Sequence, residues 1–481
     1  MYKQLAEKGL EYAAKLGASY ADIRFVDIEQ RLVEIKNSIP DNINHTSESG
    51  IGIRLIFDKG WGFAGSYKTS EKDLRDTIEK AIQLAKASSS IAKKPIKMVP
   101  PKIVEDSFSS KYKEDPLNVG LEDILERLIS ADKAYREVSP HVRTTSTSMV
   151  AKKEEKYLAT SEGSRIKQKI VYCGVDGEGW VMDKGLLQRR SYSVTPLTKG
   201  YEYIKAHDLD SMAKEAGREA ELLLKAEPCP TEIKSNLILD DNHILLQIHE
   251  TIGHATELDR VLGTEIDMAG MSFLTPDKLG KFMYGSEYVS FATDSAIPEG
   301  LGTYGYDDEG VPARKQYLIK EGVFVGYQSS RETAAQIGLK ESSAGMRAAK
   351  PINLPIIRMN NIYLEPGDWK ANEIIEDTKD GVLMRSTTLW SVDQKRLNFQ
   401  FGCEIGWIIK NGELTKVIRD PTYTALSYEF WRNLDATAKD DWKLYGTPSC
   451  GKGKPGQLIH TGHGGATMRV KDVRIGITGR M

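Results

Sequence analysis

Two prolines two positions apart, Pro228 and Pro230, interrupt this 481-residue chain near its middle. Neither can continue a helix, because proline lacks the amide proton and crowds the preceding turn. The sequence before them reads as a helix over residues 209–226, and the sequence after them opens a short strand at 236–239. We therefore expect a domain boundary here, with residues 1–228 on one side and 229–481 on the other. The length agrees, since it exceeds what one hydrophobic core usually organises.

On the N-terminal side, Leu5, Leu10, Ala13 and Leu16 suggest a helix that Gly17 can close. Residues 21–35 and 51–57 read as strands, the second leading into a turn at Gly60-Trp-Gly62. Ser70, with Asp73 three places on, starts a helix whose inner face is Leu74, Ile78, Ala81, Ile82 and Ala85. A further helix is expected over 121–134. Residues 142–194 alternate, with turns at Glu162-Gly163 and Asp176-Gly177, and suggest an antiparallel meander. After the prolines, Asp240-Asp-Asn242 forms a turn and cap, a helix opens near His243, and most of the remainder reads as short strands. The expected fold class is α+β: an N-terminal α/β domain, then a β-rich C-terminal domain carrying a short helix with the pattern H-E-x-x-x-H.

The charge balance, 66 Lys and Arg against 68 Asp and Glu, offers no face for a polyanion, so a nucleic-acid partner is not expected. No stretch nears ~18 uninterrupted apolar residues, so a membrane span is not expected either. The opening residues are charged and amphipathic, unlike a signal peptide. Cys173, Cys229, Cys403 and Cys450 form no CxxC pair. A reduced, soluble, cytoplasmic protein is the expectation.

The segment that carries chemistry is His249-Glu-Thr-Ile-Gly-His254. Two imidazoles suit zinc, and a carboxylate beside the first can take a proton from a metal-activated water. The familiar zinc-peptidase spacing places the histidines four apart, about 40° around a regular helix. Here they are five apart, about 140° around the same helix. Either the two histidines bind nothing together, or the helix is irregular between Glu250 and His254. A bulge or kink near Ile252-Gly253 would close the angle, and Gly253 would lower its backbone cost. The plainer reading is a helix with Ile244, Ile248, Ile252 and Ala255 inward and His and Glu on its wet face.

A catalytic zinc asks for a third protein ligand. The candidates are Glu257, Asp259, Glu265, Cys450, His460 and His463. Cys450 lies in a Gly-rich polar stretch, residues 446–457, that reads as a loop, and His460 and His463 read as loop surface. The same stretch imitates two nucleotide motifs. Gly446-x-x-x-x-Gly451-Lys452 has Gly453 where a P-loop needs Ser or Thr, and Pro455 forbids the helix a dinucleotide fingerprint must open.

With these residues placed, the sequence resembles the TldD/PmbA family of metallopeptidases, also labelled modulators of DNA gyrase, on its TldD side. The resemblance spans nearly the whole chain. It rests on the H-E-x-x-x-H segment, on Gly305-Tyr-Asp-Asp-Glu-Gly-Val-Pro312, and on residues 318–327. It continues through Arg358-Met-Asn-Asn-Ile-Tyr-Leu-Glu-Pro-Gly367 and Cys450-Gly-Lys-Gly-Lys-Pro-Gly-Gln457. The resemblance implies Zn2+ held by His249, His254 and Cys450, with Glu250 as catalytic general base. It implies a dimer enclosing the site, homomeric or with a PmbA-type homologue that lacks the metal motif, and unstructured peptide as substrate. Near Asp393 the family tends to be Gly-rich, whereas this chain has Thr388-Leu-Trp-Ser391, which bears on substrate handling. Two other readings stand beside a peptidase: a peptide-binding or scaffold subunit with a structural or idle metal site, and metal chemistry other than hydrolysis.

Overall fold

The computed structural model describes residues 2–267 and 270–476; residue 1 and residues 477–481, the outer ends of the two expected domains, lie outside it. The N-terminal half is built on one sheet of long antiparallel strands: β1 (Tyr20–Lys36), β2 (Ile39–Phe57), β3 (Gly60–Ser66), β4 (Glu105–Ser109), β5 (Val142–Thr160), β6 (Arg165–Asp183) and β7 (Leu186–Leu197). Their order is β3-β2-β1-β5-β6-β4, with β7 also on β6, and only β4 runs parallel to its neighbour. Because side chains alternate along a strand, β1 has two different faces. Ile23, Phe25, Val33 and Ile35 bury themselves under helices. On the other face, Arg24 meets the C-terminal half at Asp308, and Asp22 holds Arg54, which reaches Glu309 there.

The covering helices form where the periodicity places them. Helix Tyr2–Lys15 buries Ala6, Leu10 and Ala13. Gly17, at φ +90°, closes it, with the Ala18 amide donating to the Ala13 carbonyl at 3.1 Å. Helix Glu71–Ile91 is capped by Ser70, whose side chain accepts from the Asp73 amide, and buries the five residues expected of it. Helices Leu121–Arg136 and Leu209–Lys225 pack together over the far end of the sheet.

Two expected turns are strand interior. β6 runs straight through Asp176-Gly177, and its turn to β7 lies at Lys184-Gly185, both at positive φ. A Cβ on Gly177 would sit 2.2 Å from the Tyr192 ring, so this glycine makes room for the aromatic of its cross-strand partner. Gly60 and Gly62 likewise belong to β3. A Cβ on Gly62 would fall 2.0 Å from the Ala81 carbonyl oxygen, because helix Glu71–Ile91 lies directly on the strand's backbone.

In the C-terminal half, strands Asp380–Val392, Ile233–Leu239, Met468–Ile475, Thr422–Leu426 and Asn398–Lys410 pair in that order, and the last returns to the first. They close a small barrel, which leaves no edge within that ring. A six-stranded sheet runs Val323–Phe324, Lys315–Lys320, Phe291–Asp294, Asn361–Leu364, Gln457–Gly465 and Lys443–Lys452, the last at its edge. The α+β class expected from the sequence, an α/β half followed by a β-rich half, is the one observed. Pro228 sits in the two-residue strand Glu227–Pro228 at the margin of the barrel sheet, against Arg419.

Candidate metal centre

Barrel strand Ile233–Leu239 delivers the chain to Asp240, whose Oδ1 accepts from the His243 amide at 2.8 Å and so starts helix Ile244–Ile248. Ile244, Ile248 and Ile252 enter the barrel core and fix which side of this helix faces inward. The α-geometry then ends. Residues His249–Gly253 form one π-turn, in which the His254 amide donates to the His249 carbonyl five residues back, and His254–Thr256 tightens to a 3-10 turn. The wider turn is the irregularity the five-residue spacing demands. It brings the two imidazoles to 4.8 Å between ring centroids.

Gly253 has a different reason from the one its sequence suggests. Its φ of −55° is ordinary helix and needs no glycine. A Cβ there, however, would lie 2.1 Å from the Met359 sulfur, so glycine admits a packed neighbour.

Cys450 arrives on a strand, where the sequence suggested a loop. Lys443–Lys452 and Gln457–Gly465 form a hairpin whose register slips between Thr447 and Cys450. Buried Arg358 grips both strands, donating to the Cys450 carbonyl and, at 3.0 Å, to that of Gln457. The Cys450 Sγ lies 3.4 Å from His254 Nε2, and one ligand atom each from His249, His254 and Cys450 fall within 4.8 Å of one another. Tetrahedral zinc with Zn–N of 2.0–2.1 Å and Zn–S of 2.3 Å asks for separations of about 3.4–3.6 Å, so a small inward movement completes the site. Two imidazoles and a thiolate are a donor set that suits zinc.

The other four third-ligand candidates near the motif or on the hairpin are accounted for, as is Glu265. Glu257 stands behind His254, its Oε2 2.9 Å from Nδ1, which turns Nε2 toward Cys450. His463 stands behind His249 in the same way, Nε2 to Nδ1 at 2.8 Å. It is fully buried on a strand rather than on a loop surface. Asp259 pairs with buried Lys452 at 2.8 Å, and Lys452 is also 3.3 Å from Glu257. His460 packs on Tyr172, and neither it nor buried Glu265 joins the cluster.

Electrostatics favour the ligating forms. Burial pushes His249 below the usual imidazole range, which keeps its lone pair free. Burial would raise the Cys450 thiol, but His254 and Arg358 outweigh it and hold the thiol below its ordinary range. Burial would raise Glu250 too, and the combined pull of His254, His249 and Arg396 keeps it ionised. Arg396 Nη1 is 2.8 Å from Glu250 Oε2. A lone arginine in a turn gave no sequence signal of this contact.

His249, Glu250, His254 and Cys450 line one cleft of about 630 Å³. Ser191 of β7 reaches it from the N-terminal half, and Trp390 and Ser391 stand along its wall.

Comparison with known proteins agrees along the chain. Residues 21–85 match PmbA/TldA metallopeptidase domain 1, residues 114–224 its central domain, and residues 234–477 its C-terminal domain. A protein of Methanocaldococcus jannaschii named a metalloprotease is 33% identical over 94% of this chain and 95% of its own length. A zinc metalloprotease TldD homologue of Saccharolobus solfataricus is 24% identical, covering 98% and 99%. The crystal structure of TldE from Thermococcus kodakarensis superposes with a TM-score of 0.78 at 19% identity, over 98% of this chain and 99% of that one, which is a likeness of fold.

Proposed function

The chain belongs to the PmbA/TldD family of metallopeptidases, and from that premise we propose that it is a zinc-dependent peptidase acting on extended, unstructured peptide. His249, His254 and Cys450 would hold the ion, and Glu250 would be the general base. Bound zinc supplies Lewis acidity and brings the pKa of water toward ~7. Glu250 takes the proton of the attacking water. The water oxygen bonds to the carbonyl carbon, whose π pair moves to oxygen. When the C–N bond breaks, its electron pair stays on nitrogen and the oxygen's pair re-forms the C=O bond. Glu250 returns the proton to nitrogen, releasing an amine and a carboxylic acid that then gives its own proton to water or to the amine.

The observation that carries this reading is the meeting of two histidines and a cysteine, His254 and Cys450 being 196 residues apart in sequence, in a cleft that Glu250 also lines. Extended substrate is supported by two strand borders at that cleft. Strand Asp380–Val392 pairs with Ile233–Leu239 only through residues 381–384, and Lys443–Lys452 is a sheet edge. Unpaired edges take peptide backbone with little regard to side chain.

Three further expectations belong to the same proposal: division of the chain at residue 228, a homodimer or a heterodimer with a PmbA-type homologue, and a cytoplasmic setting. The last is supported by the free thiols of Cys173 and Cys403, both buried. Among the described residues no helix is long and apolar enough to cross a membrane. Metal analysis of purified protein with a cleavage assay on an unfolded polypeptide tests the proposal. It expects about one zinc per chain, cleavage by the native sequence, and loss of cleavage with retained zinc in Glu250→Gln. Full cleavage by that variant would overturn the mechanism.

A further inference from the structure

We propose that Arg396 is a catalytic residue of this site, donating to the oxygen of the scissile carbonyl as that oxygen becomes negative. The proposal rests on the peptidase reading above.

Arg396 is held in place by its turn. It sits between strands Asp380–Val392 and Asn398–Lys410 at φ +62°, a backbone state that non-glycine residues seldom adopt and that clusters at functional sites. Asp393 fixes the turn: its carboxylate accepts from the amides of Leu397 at 2.9 Å and Asn398 at 3.2 Å, and its carbonyl accepts from the Arg396 amide at 3.0 Å. Ser427 Oγ donates to the Arg396 carbonyl at 2.9 Å. The result is a side chain aimed into the cleft from a rigid base.

That side chain is 14% exposed and has donors to spare. A guanidinium carries five N–H groups. Here Nη1 meets Glu250 Oε2, while Nε, although buried, makes no hydrogen bond among the described residues. Among the described residues lining the cleft, Arg396 is the single Lys or Arg. Its hold on Oε2 leaves Oε1 of Glu250 to take the proton from water. As that water adds to the carbonyl carbon, the displaced π pair gives the carbonyl oxygen a full negative charge close to this cation. A preorganised donor in a site that excludes water typically changes kcat by about 10²–10³.

The test uses the zinc-loaded full chain and an internally quenched peptide blocked at both ends, with a phosphinic peptide as mimic of the tetrahedral adduct. Arg396→Ala is expected to keep its zinc, lower kcat by about 10²–10³ with KM within about threefold, and lose phosphinic-peptide affinity by a similar factor. Added guanidinium ion should restore part of the rate. Calorimetry of the phosphinic peptide with Glu250→Gln and with Glu250→Gln/Arg396→Ala repeats the comparison without turnover, and Arg396→Lys serves if alanine perturbs the fold. An active native enzyme whose Arg396→Ala form keeps full phosphinic affinity overturns the assignment alone. So does a defect confined to KM and seen only with peptides bearing a free C-terminal carboxylate. A native enzyme that cleaves nothing overturns the peptidase reading, and this one with it.

Discussion

At His249 and His254 the ring nitrogen facing away from the cleft decides what the other nitrogen can do. Glu257 and His463 each occupy that rear position, at 2.9 and 2.8 Å. Such partners fix ring orientation, and their loss typically lowers metal affinity 10- to 100-fold. We expect His463→Ala and Glu257→Gln to weaken zinc binding within that range, read by competition with a chromophoric chelator, while the chain stays folded. Unchanged affinity in both would remove the rear partners from the account. His249→Ala and His254→Ala should go further and abolish zinc in metal analysis, because two remaining ligands hold a catalytic ion poorly. Full occupancy in His249→Ala would place the metal elsewhere.

The element that makes the centre is the π-turn His249–Gly253, which the spacing required of any ion held by both histidines, because no straight α-helix points residues five apart at one ion. What the sequence does not show is why residue 253 is glycine. Several glycines here are places where something else lies close, Met359 at Gly253, Tyr192 at Gly177 and a helix backbone at Gly62. Turn glycines and packing glycines look alike in a sequence, because the neighbour that distinguishes them is remote along the chain. Gly253→Ala should therefore destabilise by about 1–3 kcal/mol through overpacking and weaken zinc binding without touching a ligand. Chemical denaturation and chelator competition check both effects, and Met359→Ala in the same chain should recover part of the loss. A neutral Gly253→Ala would mean that Met359 simply moves aside.

Across the whole molecule, the acidic segment within Gly305-Tyr-Asp-Asp-Glu-Gly-Val-Pro312 fastens the two halves. Asp308 receives Arg24 at 3.1 Å and Lys156 at 2.7 Å from the N-terminal sheet, and Glu309 receives Arg54 at 3.0 Å. Removing one member of a buried pair strands the other charge, typically at about 3–5 kcal/mol, so Arg24→Met should unfold at markedly lower denaturant. Burial would raise Asp308, but Lys156 and Arg24 outweigh it and hold its carboxyl below the ordinary range; Lys156 and Lys152 likewise bring buried Glu154 down to about 2. Both groups bind fewer protons folded than unfolded below about pH 5, so the stability they contribute is present above that range and lost as the pH falls toward 2. Melting temperatures between pH 6 and 3 should drop less steeply in Asp308→Asn than in the native chain, and equal slopes would refute the clamp.

Local sequence placed the long helices, the long N-terminal strands and the α/β-then-β-rich order, and it required an irregular helix only if His249 and His254 share one ion. All of these follow from periodicity, caps and spacing within a few residues. Spacing left six candidate third ligands, of which the resemblance to the TldD/PmbA family named Cys450. It took the tertiary structure to bring that sulfur to His254, to put His463 and Glu257 behind the histidines, and to set Arg396 on Glu250. Those pairings join residues up to 214 positions apart, and which of them meet is settled by strand register and barrel closure, which local sequence does not encode.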